Sequence, residues 1–144
     1  MFDSILVLCT GNICRSPIAE RILKKAFPKK EIDSAGIGAL VGKPADASAV
    51  NVSEKYGISL DGHKGKQFTA ELGRHYQLIL VMERQHLEQV SRLAPELRGK
   101  TMLLGHWNGC KDIPDPYKKS DEAFDSVFKL IEQSCNYWIS KLAS

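Results

Sequence analysis

The chain has 144 residues, of which 43% are hydrophobic and 26% charged, and its net charge is +3. These values are typical of a soluble globular protein, so we expect one domain over residues 1–144. The basic residues are spread along the chain, which argues against nucleic acid as the main partner. We find no secretory leader and no apolar run long enough to span a membrane. The four cysteines have no regular spacing, so we expect reduced thiols and a cytoplasmic location.

Strands and helices are expected to alternate along the sequence. The strands are predicted at 4–8, 31–34, 77–82 and 101–104, where short apolar runs occur. The helices are predicted at 17–27, 46–56, between the third strand and residue 93, and at 124–142. This order predicts an α/β fold, with a doubly wound parallel sheet and helices on both of its faces.

The segment VLCTGNICRSP at residues 7–17 follows the first predicted strand and leads into the first predicted helix. Such a loop presents backbone N–H groups and the positive end of the helix dipole, which together bind anions. Gly11 allows the backbone to approach a ligand closely, and Asn12 tolerates a left-handed conformation. The planar guanidinium of Arg15 fits two oxygens of a phosphate. The segment therefore predicts a phosphate-binding loop.

Cys9 stands at the start of this loop, at the carboxyl end of a strand, where doubly wound sheets bind their ligands. The positive field of the loop favours the thiolate form of Cys9. The hydroxyl group of Ser16 can donate a hydrogen bond to the sulfur. A thiolate that faces a phosphate held by Arg15 is arranged for nucleophilic attack on phosphorus.

Phosphoryl transfer from an aryl or alkyl oxygen also needs an acid that protonates the leaving group. Asp115 lies between two prolines in the segment IPDPYKKS at residues 113–120, and this stiff loop can aim its carboxyl group. Tyr117 can form the wall of a pocket for an aromatic substrate. Because the segment follows the fourth predicted strand, we expect it at the same edge of the sheet as Cys9.

Several segments of the chain resemble the low-molecular-weight protein tyrosine phosphatases. The likeness spans essentially the whole chain and includes CTGNICRSP (9–17), DSAG (33–36), GHKGKQ (62–67), LILVME (78–83) and DPY (115–117). The resemblance implies a four-stranded parallel sheet with the strand order 2-1-3-4 and a phosphate loop after strand 1. It also implies hydrolysis of phosphotyrosine through a cysteinyl-phosphate intermediate, with no metal and no cofactor.

The resemblance implies that Cys9 is the nucleophile and that Arg15 clamps the phosphoryl oxygens. Asp115 would protonate the tyrosine oxygen and then take a proton from the hydrolytic water, while Ser16 would stabilise the Cys9 thiolate. The residues implied to bind the substrate are Thr10, Gly11, Asn12, Ile13, Cys14, Ser16, Leu40 and Tyr117.

The shape of the loop is implied to depend on Asn12, in a strained conformation and tied to Ser34 and His63. Two positions differ from the eukaryotic members, which carry large aromatic residues where this chain has Leu40 and Lys118. We therefore expect a more open pocket in this chain.

A second cysteine in the loop, Cys14, could form a reversible disulfide with Cys9 and so prevent overoxidation of Cys9. The alternative is that Cys14 is a plain buried thiol. Cys110 and Cys135 are expected to be inert. His106 and Cys110 are close in sequence but lack further ligands, so no metal site is expected.

Within the family, the chain resembles most closely the bacterial branch that works with cytoplasmic tyrosine autokinases of capsule and exopolysaccharide export. This implies a phosphotyrosine protein as substrate, in the form of the cytoplasmic tail of such a kinase. From composition and hydropathy we also expect an enzyme that binds no nucleic acid and does not insert into membranes, and we expect it to be a monomer.

Two other functions remain open at this point. An arsenate reductase on the same scaffold would need further cysteines to relay electrons, and residues 70–95 contain none. A non-catalytic phosphotyrosine-binding module would need Arg15 and the loop N–H groups, but it would need neither Cys9 nor Asp115.

Overall fold

The computed structural model describes residues 2–143. The strands are β1 (Ser4–Cys9), β2 (Glu31–Gly36), β3 (Leu78–Val81) and β4 (Thr101–Leu103). The helices are α1 (Arg15–Ala26), α2 (Ala47–Lys55), α3 (Ala70–His75), α4 (Arg84–Leu93) and α5 (Asp121–Leu142), with a 3₁₀ helix at Pro95–Lys100. Over this part of the chain, no helix combines the length and the apolar character needed to cross a membrane.

The four strands form one sheet in the order β2-β1-β3-β4, and all neighbouring strands are parallel. The predicted fold class and strand order are therefore confirmed. In a parallel sheet, the carboxyl ends of all strands lie at one edge. Cys9 ends β1 at this edge and lies opposite Gly36, the last residue of β2.

Alternate residues of β1 belong to two separate hydrophobic clusters, one on each face of the sheet. Ile5 and Val7 pack in the cluster that contains side chains of α1, α2 and α5. Leu6 and Leu8 pack in the cluster that contains side chains of α4 and the 3₁₀ helix. A strand buried on both faces reads as a continuous apolar run, which is why β1 is evident in the sequence. The predicted covering of both faces by helices is confirmed.

Two short helices, α3 and the 3₁₀ helix, are not predicted from the sequence. α3 has only six residues, which is too few to show a helical repeat of apolar positions. It begins where the hydroxyl group of Thr69 accepts a hydrogen bond from the Leu72 N–H at 3.0 Å. The 3₁₀ helix begins at Pro95, whose fixed φ and missing N–H suit a first helical position.

Candidate active site

The peptide groups of the loop between β1 and α1 are held in one orientation. Five successive carbonyl oxygens accept hydrogen bonds from outside the loop: Cys9 from Ile37 N, Thr10 from Gly38 N, Gly11 from Leu40 N, Asn12 from His63 Nε2, and Ile13 from Asp46 N. In a trans peptide, the C=O and the next N–H point in opposite directions, and the described residues contain no cis peptide bond. The N–H groups of residues 10–14 therefore turn away from those five donors and form a cradle for an anion.

The sulfur of Cys9 lies at the base of this cradle, with only 2% of the residue exposed. The backbone N–H of Asn12 donates a hydrogen bond to Sγ at 3.3 Å. The hydroxyl oxygen of Ser16, in the first turn of α1, lies 2.9 Å from the same sulfur. Both contacts stabilise a thiolate, because hydrogen bonds to a charged form favour that form.

The direction of the hydrogen bonds around Asn12 fixes the proton of Ser16. The Lys66 N–H can only donate, so the Asn12 atom that it meets at 2.9 Å is Oδ1. Asn12 Nδ2 then donates to the hydroxyl oxygens of Ser16 at 2.7 Å and Ser34 at 3.0 Å. Because the Ser16 oxygen already accepts a hydrogen bond, its own proton is free to point at the Cys9 sulfur.

The predicted supports of the loop, Ser34 and His63, both contact Asn12. Asn12 has a φ of 58°, the left-handed conformation that the sequence predicts. His63 donates from Nε2 to the Asn12 carbonyl oxygen at 2.6 Å. Burial lowers the pKa of His63, so its ring is neutral near pH 7. Ser34 donates in turn to the carboxylate of Glu20 at 2.6 Å, a buried partner that sequence reasoning missed.

The guanidinium of Arg15 is buried, and two hydrogen bonds at Nη1 hold it in position. Nη1 donates to Glu83 Oε2 at 2.5 Å and to the Ile113 carbonyl oxygen at 2.7 Å. Nη2 lies 3.5 Å from the Thr10 hydroxyl oxygen and 3.8 Å from Asp115 Oδ2. Pairing with Glu83 offsets the cost of burying the Arg15 charge. The N–H of Nε and the Nη2 proton that does not face Thr10 remain available for the oxygens of an anion.

Asp115 lies at the open side of the same site, and 47% of its side chain is exposed. Its Oδ1 accepts a hydrogen bond from the Tyr117 N–H at 3.0 Å, which orients the carboxyl group. The following residue, Lys118, has a φ of 62°, and its Nζ lies 5.4 Å from the centre of the Tyr117 ring. The loop thus presents one carboxyl group and one aromatic ring together.

A cavity of about 200 Å³ joins these groups. It is lined by Cys9, Thr10, Gly11, Ile13, Cys14, Arg15, Gly38, Leu40, Asp115 and Tyr117. Two of the residues predicted to bind substrate, Asn12 and Ser16, do not line the cavity. Both are fully buried behind the loop and contact the sulfur and the loop supports instead. Leu40 and Tyr117 are 43% and 40% exposed at the mouth of the cavity.

Cys14 lines the cavity but differs in its chemistry from Cys9. Burial is the main cause that raises the pKa of the Cys14 thiol far above its ordinary value, and the charge of Asp46 adds to the effect. Cys14 is therefore a protonated thiol, which is a poor nucleophile.

Sequence reasoning also missed Glu83 and His86, which lie just beyond the end of β3. Glu83 binds Arg15, and the His86 ring lies 3.0 Å from the Thr10 hydroxyl oxygen. The sequence feature that could have identified both residues is their position directly after a buried strand, because the carboxyl ends of parallel strands share one edge of the sheet. In the part of the chain that the structure describes, no three His, Cys, Asp or Glu side chains cluster in a way that could hold a metal.

The family model for the low molecular weight phosphotyrosine protein phosphatases matches residues 4–144. The chain belongs to this family. It is 63% identical over 142 residues to a putative low molecular weight protein-tyrosine-phosphatase of Klebsiella pneumoniae, with 99% of each chain covered. The resemblance noted from the sequence is thereby confirmed, and the protein is a protein tyrosine phosphatase.

Solved structures of bacterial phosphatases share the fold closely. The tyrosine phosphatase Wzb of Escherichia coli K30 in complex with sulphate is 63% identical, with a TM-score of 0.98 and coverage of 99% of this chain and 100% of that one. Wzb of Vibrio vulnificus in complex with benzylphosphonate is 50% identical, with a TM-score of 0.96 and the same coverage.

Proposed function

We propose that this phosphatase hydrolyses phosphotyrosine in two steps through a cysteinyl-phosphate on Cys9. In the first step, Sγ forms a bond to phosphorus while the bond from phosphorus to the tyrosine oxygen breaks. Asp115 gives its proton to the departing phenolate oxygen. Arg15 and the N–H groups of the loop residues that line the cavity, Thr10, Gly11, Ile13 and Cys14, bind the three phosphoryl oxygens and stabilise the charge of the transition state.

In the second step, a water oxygen attacks phosphorus and the bond to sulfur breaks. Asp115, now ionised, takes a proton from this water, and inorganic phosphate is released. The electron pair returns to Sγ, where the Ser16 hydroxyl and the Asn12 N–H stabilise the thiolate as leaving group. The observation that carries the proposal is the convergence of Cys9, Arg15 and Asp115 on one cavity.

The walls of the cavity support an aromatic phosphate ester as the substrate. Ile13, Leu40 and Tyr117 offer apolar surface around the anion cradle. An aromatic ring buries favourably against such surface and stacks on tyrosine. Two relatives hold compounds of matching chemistry, one a sulphate ion and the other benzylphosphonate.

The biological substrate that we propose is the phosphorylated cytoplasmic tail of a bacterial tyrosine autokinase that controls capsule or exopolysaccharide production. The support is the similarity to bacterial phosphatases named Wzb and AmsI. A monomeric enzyme in the cytoplasm is part of this proposal.

The deciding experiment measures phosphate release from a phosphotyrosine peptide and a matched phosphoserine peptide, with a chelator present. Release from the tyrosine peptide alone, abolished in Cys9→Ser, supports the proposal. Asp115→Asn is expected to slow release by about 10²–10⁴-fold. Cys110→Ser, an exposed thiol outside the cavity, serves as the matched control and should keep full activity.

Other outcomes would contradict the proposal. Release that persists in Cys9→Ser would exclude Cys9 as the nucleophile. No release from either peptide would favour a non-catalytic phosphotyrosine binder, and turnover of arsenate with thioredoxin would favour a reductase. Release from both peptides would contradict selection of an aromatic ester, and a kinase tail left phosphorylated would contradict the proposed partner.

We also propose that Cys14 protects Cys9 from overoxidation. A peroxide oxidises the Cys9 thiolate to a sulfenic acid. The Cys14 sulfur then bonds to the Cys9 sulfur, while the Cys14 proton joins the departing hydroxide and leaves as water. Both residues line the same cavity, which supports the pairing. After peroxide treatment, mass spectrometry should find the disulfide in the wild type, and activity should return with a thiol reductant. Equal recovery in Cys14→Ser would contradict this role.

A further inference from the structure

His86 is a fully buried histidine whose two ring nitrogens contact two different parts of the site. It lies in the first turn of α4. Its Nδ1 lies 3.1 Å from the backbone nitrogen of Glu83, and its Nε2 lies 3.0 Å from the hydroxyl oxygen of Thr10. Thr10 directly follows Cys9 and lines the substrate cavity.

The tautomer of His86 follows from these contacts. The backbone N–H of Glu83 can only donate, so Nδ1 accepts and carries no proton. A neutral ring then has its proton on Nε2, which donates to the Thr10 oxygen. Burial, with a further contribution from the nearby Arg15 charge, lowers the pKa of His86 to about 4, in agreement with a neutral ring.

The first turn of α4 therefore contacts the phosphate loop at two points. The Glu83 carboxylate accepts a hydrogen bond from Arg15 Nη1, and the Glu83 backbone carbonyl oxygen accepts one from the His86 N–H at 2.9 Å. The Thr10 oxygen accepts from the His86 ring and lies 3.5 Å from Arg15 Nη2. With its oxygen occupied in this way, the Thr10 hydroxyl has its own proton free for a phosphoryl oxygen.

We propose that His86 is a positioning residue of this phosphatase, which fixes the Thr10 hydroxyl group beside Arg15 so that it can donate to the phosphoryl group. The proposal rests on the proposed function, in which the loop and Arg15 bind the phosphoryl oxygens. His86 has a second, structural contact, because its Nδ1 accepts the Glu83 N–H and completes a capping box at the start of α4.

Two substitutions separate these contacts. In His86→Asn, the amide oxygen takes the place of Nδ1, so the cap is kept while the donor to Thr10 is lost. In His86→Gln, the longer amide places a nitrogen near the position of Nε2, so the donor is kept while the cap is lost. His75→Asn is a matched control, because that ring is exposed and contacts Glu31 and the Tyr76 ring, neither of which belongs to the phosphate loop.

The experiment measures kcat, KM, the inhibition constant of orthovanadate and the melting temperature of each variant. His86→Asn should melt near the wild-type temperature, but its kcat/KM should fall about tenfold and its vanadate constant should rise about tenfold. His86→Gln should show the reverse pattern, with a lower melting temperature and a smaller change in the vanadate constant. His75→Asn should match the wild type in every measurement.

Thr10→Val tests the same contact from the other side and does not depend on how His86 variants fold. It should raise the vanadate constant about as much as His86→Asn does, and the double variant should show no further rise. Additive effects, or an unchanged vanadate constant in Thr10→Val, would overturn the proposal. A wild-type protein without phosphatase activity would instead contradict the proposed function itself.

Discussion

At the scale of single residues, the site depends on the direction of a few hydrogen bonds. Asn12 has two amide protons and one amide oxygen, and each of the three has a hydrogen-bond partner. The amide oxygen accepts from the Lys66 N–H, so the amide nitrogen donates to Ser16 and Ser34. This arrangement leaves the Ser16 proton for the Cys9 sulfur. The sulfur is thus stabilised by a hydroxyl group that has no competing acceptor of its own.

Replacement of Ser16 by alanine should therefore slow catalysis more than it alters the fold. A hydrogen bond to a charged group is worth about 1.5–3 kcal/mol, so kcat for phosphotyrosine peptide should fall about 10- to 100-fold. The melting temperature should fall modestly, because Asn12 Nδ2 loses one acceptor. Steady-state kinetics and thermal unfolding check both effects.

Ser53 provides the matched control for this substitution. It is buried in α2, and its hydroxyl group finds no hydrogen-bond partner among the described residues. Ser53→Ala should raise the free energy of unfolding by about 1 kcal/mol, because it removes an unsatisfied polar group. It should leave kcat unchanged. A similar loss of kcat in both variants would show that the Ser16 hydroxyl has no specific role.

At the scale of secondary-structure elements, the phosphate loop is shaped by the strand beside it. Gly36 ends β2 next to Cys9, and any Cβ at this position would overlap the Thr10 carbonyl oxygen and come within 3.0 Å of the Asn12 nitrogen. The residues that follow β2 then donate to successive loop carbonyls. The anion cradle therefore depends on the close contact of the phosphate loop with β2 and with the loop that follows β2.

Gly36→Ala should consequently damage both stability and activity. Overpacking of this kind costs about 1–3 kcal/mol, and the displaced Thr10 peptide should raise the inhibition constant of phosphate at least tenfold. Denaturant unfolding and inhibition assays provide the two measurements. Gly99→Ala is the control, because a Cβ there meets no atom within 4 Å. An unchanged phosphate constant in Gly36→Ala would show that the loop does not depend on this contact.

The elements that could be predicted from sequence are those whose pattern is local. β1 is a continuous apolar run, and α5 repeats apolar residues at helical spacing over 22 residues. The phosphate loop joins β1 to α1 directly, so its residues are adjacent in sequence. Glu83 and His86 were not predicted, because they contact Arg15 and Thr10, which lie 68 and 76 residues away in the sequence. No local pattern at the start of a helix indicates a contact with so distant a residue.

At the scale of the whole molecule, two neutral histidines contact the phosphate loop from different parts of the chain. His63 comes from the segment after α2 and donates to the Asn12 carbonyl oxygen. His86 comes from α4 and contacts Thr10. Burial is the main cause that lowers the pKa of each ring. The folded protein therefore binds fewer protons at these two positions than the unfolded chain does in mildly acidic solution.

This difference predicts that the phosphatase loses stability as the pH falls through the range from about 6.5 to about 4. The pKa of His86 is about 4 in the folded protein and 6.5 for an unperturbed histidine, as in the unfolded chain. Between these pH values, protons therefore bind preferentially to the unfolded chain. The full difference corresponds to about 3 kcal/mol for His86, and His63 acts in the same direction. Asp125, whose pKa is lowered by the Tyr56 hydroxyl group, contributes only below its ordinary value of 3.8.

Denaturant unfolding at pH 7.5, 6.5, 5.5 and 4.5 measures this dependence. The wild type should lose stability progressively below pH 6.5, and His86→Asn should reduce the slope, because the asparagine amide does not titrate and still accepts the Glu83 N–H. His75→Asn should keep the wild-type slope, since it leaves both buried rings in place. An equal slope in the wild type and in His86→Asn would mean that folding does not lower the pKa of His86, and it would contradict this prediction.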